Sequence, residues 1–444
     1  MDISWIRPEQ LIEFEFTQLK DEGIQVDELQ HKWDEIKKNN NDPVKVRNKA
    51  RILLDKMESF KKDISNENIK LFLKELRGSK KEIHSTYRGE DLYNKISGGW
   101  NGRAAGCLLG KPVEKYRRDV IKEILMSNKS YPLNNYITGK GIPQELLSKY
   151  PWNRHDGKES LRENILCMTE DDDMNYAMLN LYALEKYGKD FTTENIAETW
   201  LDILPALSTF TAERAAYNNL LRLMDISEVP VYHNPYREWI GAMIRADIWG
   251  WVSPGNPLQA AELAFRDASL THTRDGVYGA MFIASTLSLS FTVDKPGEAL
   301  KGALNYIPSG SRTAKAVEFG MSIAHQIKSW ESVLDVLLDE YRRYFWVHSV
   351  NNMALIAAAL VHGNGNYEDS ICRTVMAGLD TDSTGATVGA IAGTIIGFDR
   401  LPSKWIAPLN NKIRSSLKGF DNLAISNLAE RTYKLNNKFY EEIK

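Results

Sequence analysis

The stretch Asp380-Thr381-Asp382-Ser383-Thr384-Gly385-Ala386 decides how the chain is read. Behind it Val388, Ile391, Ala392 and Ile395 recur on one helical face, and Gly385, Gly389 and Gly393 recur at every fourth position. An apolar stripe beside a stripe of glycines predicts a helix that a second helix can approach closely, with two aspartates at its start. Working outward, other segments show the same period. Met174, Ala177, Met178 and Leu181 share a face, as do Leu258, Ala261 and Phe265, and Ala280, Ile283, Ala284 and Leu287. No run of alternating polar and apolar residues reaches a convincing length. The expected fold class is all-α, with one domain over residues 89–444.

The first 88 residues differ in composition, being rich in Lys, Glu, Asp and Asn. Leu53, Leu54, Met57 and Phe60, then Ile69, Leu71, Phe72, Leu73 and Leu76, recur at helical spacing. Asn39-Asn40-Asn41-Asp42-Pro43 and Gly78-Ser79-Lys80-Lys81 read as breaks. This predicts a small helical extension of two or three helices over residues 1–88. It either packs on the main domain or serves as an arm for a protein partner, and packing is favoured because its apolar residues need cover. Residues 115–165, with Pro132, Gly139, Gly141, Pro143 and Pro151, read as an irregular loop or insertion.

Composition narrows the function classes. With 444 residues and 43% hydrophobic content, the chain can bury a sizeable core. Its 56 basic and 59 acidic residues argue against a polyanion-wrapping protein, so nucleic acid is not an expected partner. Mean hydropathy is −0.39. No apolar run approaches the ~18 residues of a spanning helix, so no membrane partner is expected. The opening Met1-Asp2-Ile3-Ser4-Trp5-Ile6-Arg7 lacks a basic segment followed by an apolar one, so a cytoplasmic protein is expected. Cys107, Cys167 and Cys372 are scattered, which speaks against a disulfide framework or a thiolate zinc site.

The chemistry concentrates in two acidic clusters. Thr169-Glu170-Asp171-Asp172-Asp173 precedes one apolar helix, and Asp380-Thr381-Asp382-Ser383 precedes another. Helix capping accounts for one or two such groups. Four adjacent carboxylates repel one another unless protonated, solvated or neutralised by a cation. Carboxylates and hydroxyls are hard donors suited to Mg²⁺, Ca²⁺ or Mn²⁺ rather than zinc, and the second cluster lacks the continuation of an EF-hand. If the clusters meet in space, they have the composition of a two-metal carboxylate site.

Four segments in order resemble the ADP-ribosylglycohydrolase family. Gly102-Arg103-Ala104-Ala105-Gly106-Cys107-Leu108-Leu109-Gly110-Lys111-Pro112-Val113-Glu114 resembles its glycine-rich helix ending in Gly-x-Pro-Val-Glu. Thr169 to Met174 resembles its Thr-Asp-Asp-Thr motif. Gly241-Ala242-Met243-Ile244-Arg245, Pro254-Gly255-Asn256-Pro257 and Leu270-Thr271-His272 resemble its central block. Gly378 to Ser383 resembles its Gly-Asp-Thr-Asp-Thr motif.

The resemblance implies an orthogonal helical bundle with two Mg²⁺ (or Mn²⁺) in a cleft. The implied metal ligands are Thr169, Glu170, Asp171, Asp380, Asp382 and Ser383. In an alternative register Asp171 and Asp172 form the pair, with Asp173 in the place of the final Thr. The implied general base lies among Glu170, Asp171 and Asp380. Glu114, Gly241, Ala242 and His272 are the implied substrate-binding residues, the small residues admitting phosphate to the backbone. Arg245 pairs with either a phosphate or Asp247, and Tyr278, Trp249 or Trp251 stack on adenine or belong to the core. The implied activity is hydrolysis of the glycosidic bond between ADP-ribose and an acceptor on a protein or small molecule. The alternatives are a hydrolase of another ribosylated small molecule and a non-catalytic binding or structural member.

Overall fold

The glycine stripe of residues 385–393 meets a second one, and their contact organises the molecule. The computed structural model describes residues 3–61, 66–79, 89–153 and 157–441. In chain order the helices are α1 (Pro8–Asp21), α2 (Asp27–Lys38), α3 (Pro43–Glu58), α4 (Glu67–Ser79), α5 (Gly89–Gly110), α6 (Arg118–Ser127) and α7 (Gln144–Lys149). They continue as α8 (Asp172–Tyr187), α9 (Thr193–Ile203), α10 (Thr211–Leu221), α11 (Asp247–Trp251), α12 (Pro257–Ala268), α13 (Arg274–Leu289) and α14 (Pro296–Ala303). The last are α15 (Arg312–Gln326), α16 (Trp330–Glu340), α17 (Ser349–Gly363), α18 (Tyr367–Met376), α19 (Thr381–Ile396), α20 (Ser403–Ile406) and α21 (Ile425–Glu441). Two-residue strands Lys412–Ile413 and Leu423–Ala424 pair antiparallel. The fold class is thus all-α, and no helix among the described residues is long and apolar enough to cross a membrane.

α5 and α19 lie backbone to backbone. Gly98, Gly102 and Gly106 of α5 face Gly393, Gly389 and Gly385 of α19, and a Cβ on any of them would run into a carbonyl oxygen of the facing glycine. At its end Thr381 Oγ1 donates to the Gly110 carbonyl at 2.8 Å. The pairing therefore sets the start of α19 beside the end of α5, from which the chain runs through a 3₁₀ turn to Glu114. Gly378 and Leu379 both adopt positive φ (80° and 66°), the tight turn that delivers the chain from α18 into α19. Gly106→Ala is expected to destabilise the protein by at least about 1–3 kcal/mol, the cost of overpacking a rigid contact. Chemical denaturation would measure it.

The extension packs on the main body. Leu11, Ile12, Phe16 and Leu19 of α1 and Leu53, Leu54 and Met57 of α3 are buried. Arg237 donates from Nη1 to Glu15 and from Nη2 to Glu22, each at 2.9 Å, and all three side chains are enclosed. Gln18 Nε2 donates to Glu238 at 2.8 Å. Such buried ions are tolerated only when paired, so Arg237 effectively locks α1 onto the segment before residue 240. Not every apolar residue expected to need cover receives it. Phe60, in the turn after α3, is 43% exposed, and Leu71 is 58% exposed. Leu71 stands two residues from both Ile69 and Leu73, which are buried, and so points to the opposite side of α4. The boundary at residue 88 lies outside the described residues. In the stretch read as irregular, α6 forms with Ile121, Ile124 and Leu125 buried, an i, i+3, i+4 pattern overlooked between the prolines and glycines around it.

Candidate functional site

Two helix starts, one from each half of the chain, face one cavity of about 430 Å³. That volume lies within the roughly 300–1,000 Å³ usual for small-molecule sites. From α19 come Asp380, Asp382 and Ser383, from α8 Asp172 and Asp173, and from the end of the α5 arm Glu114. Ser383 Oγ donates to Asp173 Oδ2 at 3.0 Å, so the two clusters touch across 210 residues of sequence. Oxygens of Glu114, Asp380 and Asp382 all lie within 4.8 Å of one another. Asn153 donates to Glu114 and holds its carboxylate in place.

The two starts use their aspartates differently. Asp380 is the N-cap of α19, yet its side chain makes no capping hydrogen bond, which leaves its carboxyl to the cavity. Asp171 is the N-cap of α8 and its Oδ1 accepts from the Asp173 amide at 3.0 Å. Its Oδ2 accepts from Lys111 Nζ at 2.7 Å, with both side chains fully enclosed. Lys111 also donates to the Glu170 carbonyl. Burial, then Asp382 and Glu114, push the Asp380 carboxyl well up from its ordinary range. Burial, then Asp171 and Asp382, do the same to Asp173. Buried carboxylates this crowded ionise readily only when a cation joins them, and the donors are all hard oxygens, so the residues fit a divalent metal ion. Cys107 lies near Asp171 and Asp173, but burial and those aspartates push its thiol well up, so it remains a protonated neighbour.

The remaining expected residues fall on both sides of the cavity boundary. Gly241 lines it, whereas Ala242 is buried behind. A Cβ on Gly241 would run into the Glu213 carboxylate, so that carboxylate is a further reason for a glycine here. Thr169, bonded to Ser160 Oγ at 3.2 Å, and Glu170, which accepts from Asn175 at 2.8 Å, are not among the lining residues, and neither is Asp171. The α8 residues that do line it are Asp172 and Asp173, the side chains one helical step further on. His272 is fully enclosed, with Nδ1 2.6 Å from Thr271 Oγ1, and burial followed by Arg245 holds it well below its ordinary pKa, hence neutral. Arg245 is fully buried, does not line the cavity and does not pair with Asp247. It donates to Asp267 and to Glu213, each at 2.9 Å. Asp247 instead accepts from Arg103 at 2.8 Å. Trp249 stacks on Phe191 and Trp251 packs on Trp100, both within the core.

Two further residues at the site lie outside the candidates that the sequence offers. Arg103, within the quoted glycine-rich segment, donates to the Asp173 carbonyl at 2.7 Å and so fixes the first turn of α8. Glu213 of α10 lines the cavity, and burial against the opposing pull of Arg245 raises its carboxyl to about 7. Neither belongs to an acidic run, and no local pattern in the sequence marks Glu213, which meets Arg245 only in the fold.

A family model described as ADP-ribosylglycohydrolase matches residues 88–440. Among solved structures, an ADP-ribosylglycohydrolase-related protein complex is 18% identical, covers 78% of this chain and 100% of its own, and superposes with a TM-score of 0.49. No curated protein matches the chain.

Proposed function

The chain belongs to the ADP-ribosylglycohydrolase family, and on that premise we propose that it hydrolyses the glycosidic bond between ADP-ribose and an acceptor. The observation that carries this reading is the meeting of Asp173 with Ser383 in a cavity that also receives Glu114, Asp380 and Asp382. Glu114, Asp172, Asp173, Asp380, Asp382 and Ser383 would hold the metal, two Mg²⁺ or Mn²⁺ ions, which when bound supply charge to fix ribose hydroxyls and acidify water.

The chain's own part is positional and protonic. Of the groups proposed as general base, Asp380 is the one that lines the cavity, and it takes the proton of the water whose oxygen bonds to the anomeric carbon. The bond to the acceptor breaks with its electron pair going to the acceptor, which takes a proton from solvent, and Asp380 returns to solvent the one it removed from the attacking water, so the products are ADP-ribose and the protonated acceptor. The surrounding carboxylates offset the positive charge that develops on the ribose. Arg103 and Lys111 work from behind, holding the backbone of Asp173 and of Glu170.

Turnover separates this reading from a binding-only member of the family. Incubated with Mg²⁺ and either ADP-ribosyl-arginine or ADP-ribosyl-serine, the full chain is expected to release ADP-ribose from at least one, measured by chromatography, and to release none in EDTA. Tight ADP-ribose binding with no release from either substrate would show a binding protein instead.

A further inference from the structure

We propose that the N-terminal extension, outside the matched family region, supplies part of the ligand cavity's wall, with Trp5 as a specificity-determining residue against the ring-bearing end of a nucleotide ligand. This rests on the reading of the cavity as a nucleotide-sugar site. Ser4 and Trp5 line the same cavity as Asp380 and Asp382, although the family match begins at residue 88.

The lining divides by chemistry. Glu114, α8 and α19 contribute carboxylates and a hydroxyl, Trp5, Phe210, Ile240, Ile244 and Trp346 contribute rings and aliphatic groups, and Lys115, 5.9 Å over the Trp346 ring, and Glu213 are the ionisable groups on the second side. A nucleotide sugar offers ribose hydroxyls to the first and a flat, uncharged ring to the second. Aromatic side chains favour such a ring by stacking or edge contact.

Trp5 is held in place from three directions. Its ring lies 5.7 Å from Tyr236 and 6.4 Å from Trp239, each edge to face, and 6.3 Å from Phe14 of α1. Its backbone amide donates to the Gln10 side chain at 3.2 Å, and Arg214 Nη1 donates to the Ser4 carbonyl at 3.3 Å. Its φ of 69° is a conformation that a bulky residue adopts only when its surroundings impose it. The Arg237 lock on Glu15 and Glu22 lies just before Trp239 and Ile240, so the same ion pairs that dock α1 also fix the wall on which Trp5 rests.

Calorimetry with Mg²⁺ present, using ADP-ribose and ribose 5-phosphate, tests this. For Trp5→Ala, ADP-ribose affinity is expected to fall roughly ten-fold, about the value of one stacked base. Ribose 5-phosphate, which has no base, should keep its affinity within about two-fold, and Trp5→Phe should restore most of the ADP-ribose binding. Ser4→Trp, which keeps the Trp5 ring and the Ser4 carbonyl's bond to Arg214 but gives up the 3.4 Å hydroxyl contact to the same arginine, should likewise weaken ADP-ribose and spare ribose 5-phosphate, and decides the matter if Trp5→Ala does not fold. Unchanged ADP-ribose affinity in Trp5→Ala, or an equal loss of both ligands in both variants, would overturn the proposal. A wild-type protein that binds neither ligand would instead overturn the nucleotide-sugar reading beneath it.

Discussion

Asp382→Asn is expected to abolish Mg²⁺-dependent release of ADP-ribose, by on the order of 10³-fold or more, while the metal-free protein becomes no less stable than wild type. Removing even an outer partner of a metal ligand costs 10–100-fold, and Asp382 stands among the proposed ligands themselves. The stability half follows from crowding. Asp382 is the chief neighbouring charge that pushes the Asp380 carboxyl up, and it contributes to the same effect on Asp173. Neutralising it removes repulsion that the protein bears when no cation is bound. Chromatography of released ADP-ribose reads the first half, and thermal melts with and without Mg²⁺ read the second together with metal binding, since ligand binding to the native state raises the melting temperature by mass action. A variant that retains the full Mg²⁺-induced rise would mean that Asp382 is not a ligand.

Asp171→Ala should behave in the opposite way. Its carboxylate pairs with Lys111 at 2.7 Å, with both side chains enclosed, so the variant takes the Asp171 carboxylate from a buried ammonium that keeps its bond to the Glu170 carbonyl, and removes the cap on the Asp173 amide. The expected cost is about 3–5 kcal/mol for the broken pair, with roughly 1 kcal/mol more for the cap. Lys111→Met in the same background should recover much of that loss, because the buried ammonium is then gone, and a double-mutant cycle by urea denaturation measures it. If Asp171→Ala instead folds with near-normal stability and loses Mg²⁺ affinity, Asp171 is a ligand and the α8 ligands begin one residue earlier.

These two aspartates also mark how far the residues alone could be read. The helix starts were legible, because the apolar period after Asp173 and after Asp382 is a local property. The approach of a second helix to Gly385, Gly389 and Gly393 was legible too, since side-chain-free stripes have few other uses. Which of four adjacent acids faces the cavity was not. Successive residues at a helix start turn by about 100°, so a shift of one position exchanges an inward carboxylate for one held by Lys111. The partner of Arg245 was equally hidden, since Asp247 is near in sequence while Asp267 and Glu213 are near only once α10 and α12 have packed. Family resemblance pointed to His272, but its enclosure behind the wall depends on the surrounding helices. Residues 1–88 carried helical spacing without any sign that Trp5 would reach the cavity, because the information lies in Tyr236 and Trp239.

The Arg237 lock has a consequence for how the protein is made. Glu15 leaves the ribosome 222 residues before its partner. At about 5–20 residues per second, α1 waits roughly 10–45 s, with its buried face and two carboxylates still in water, before Arg237 emerges. The glycine seam between α5 and α19 closes later still, once α19 has been made. The contacts that join the cavity's walls include long-range ones such as Ser383 to Asp173, across 210 residues, and such contacts slow folding and prolong the exposure of α1, α3 and α5 to aggregation and to chaperones.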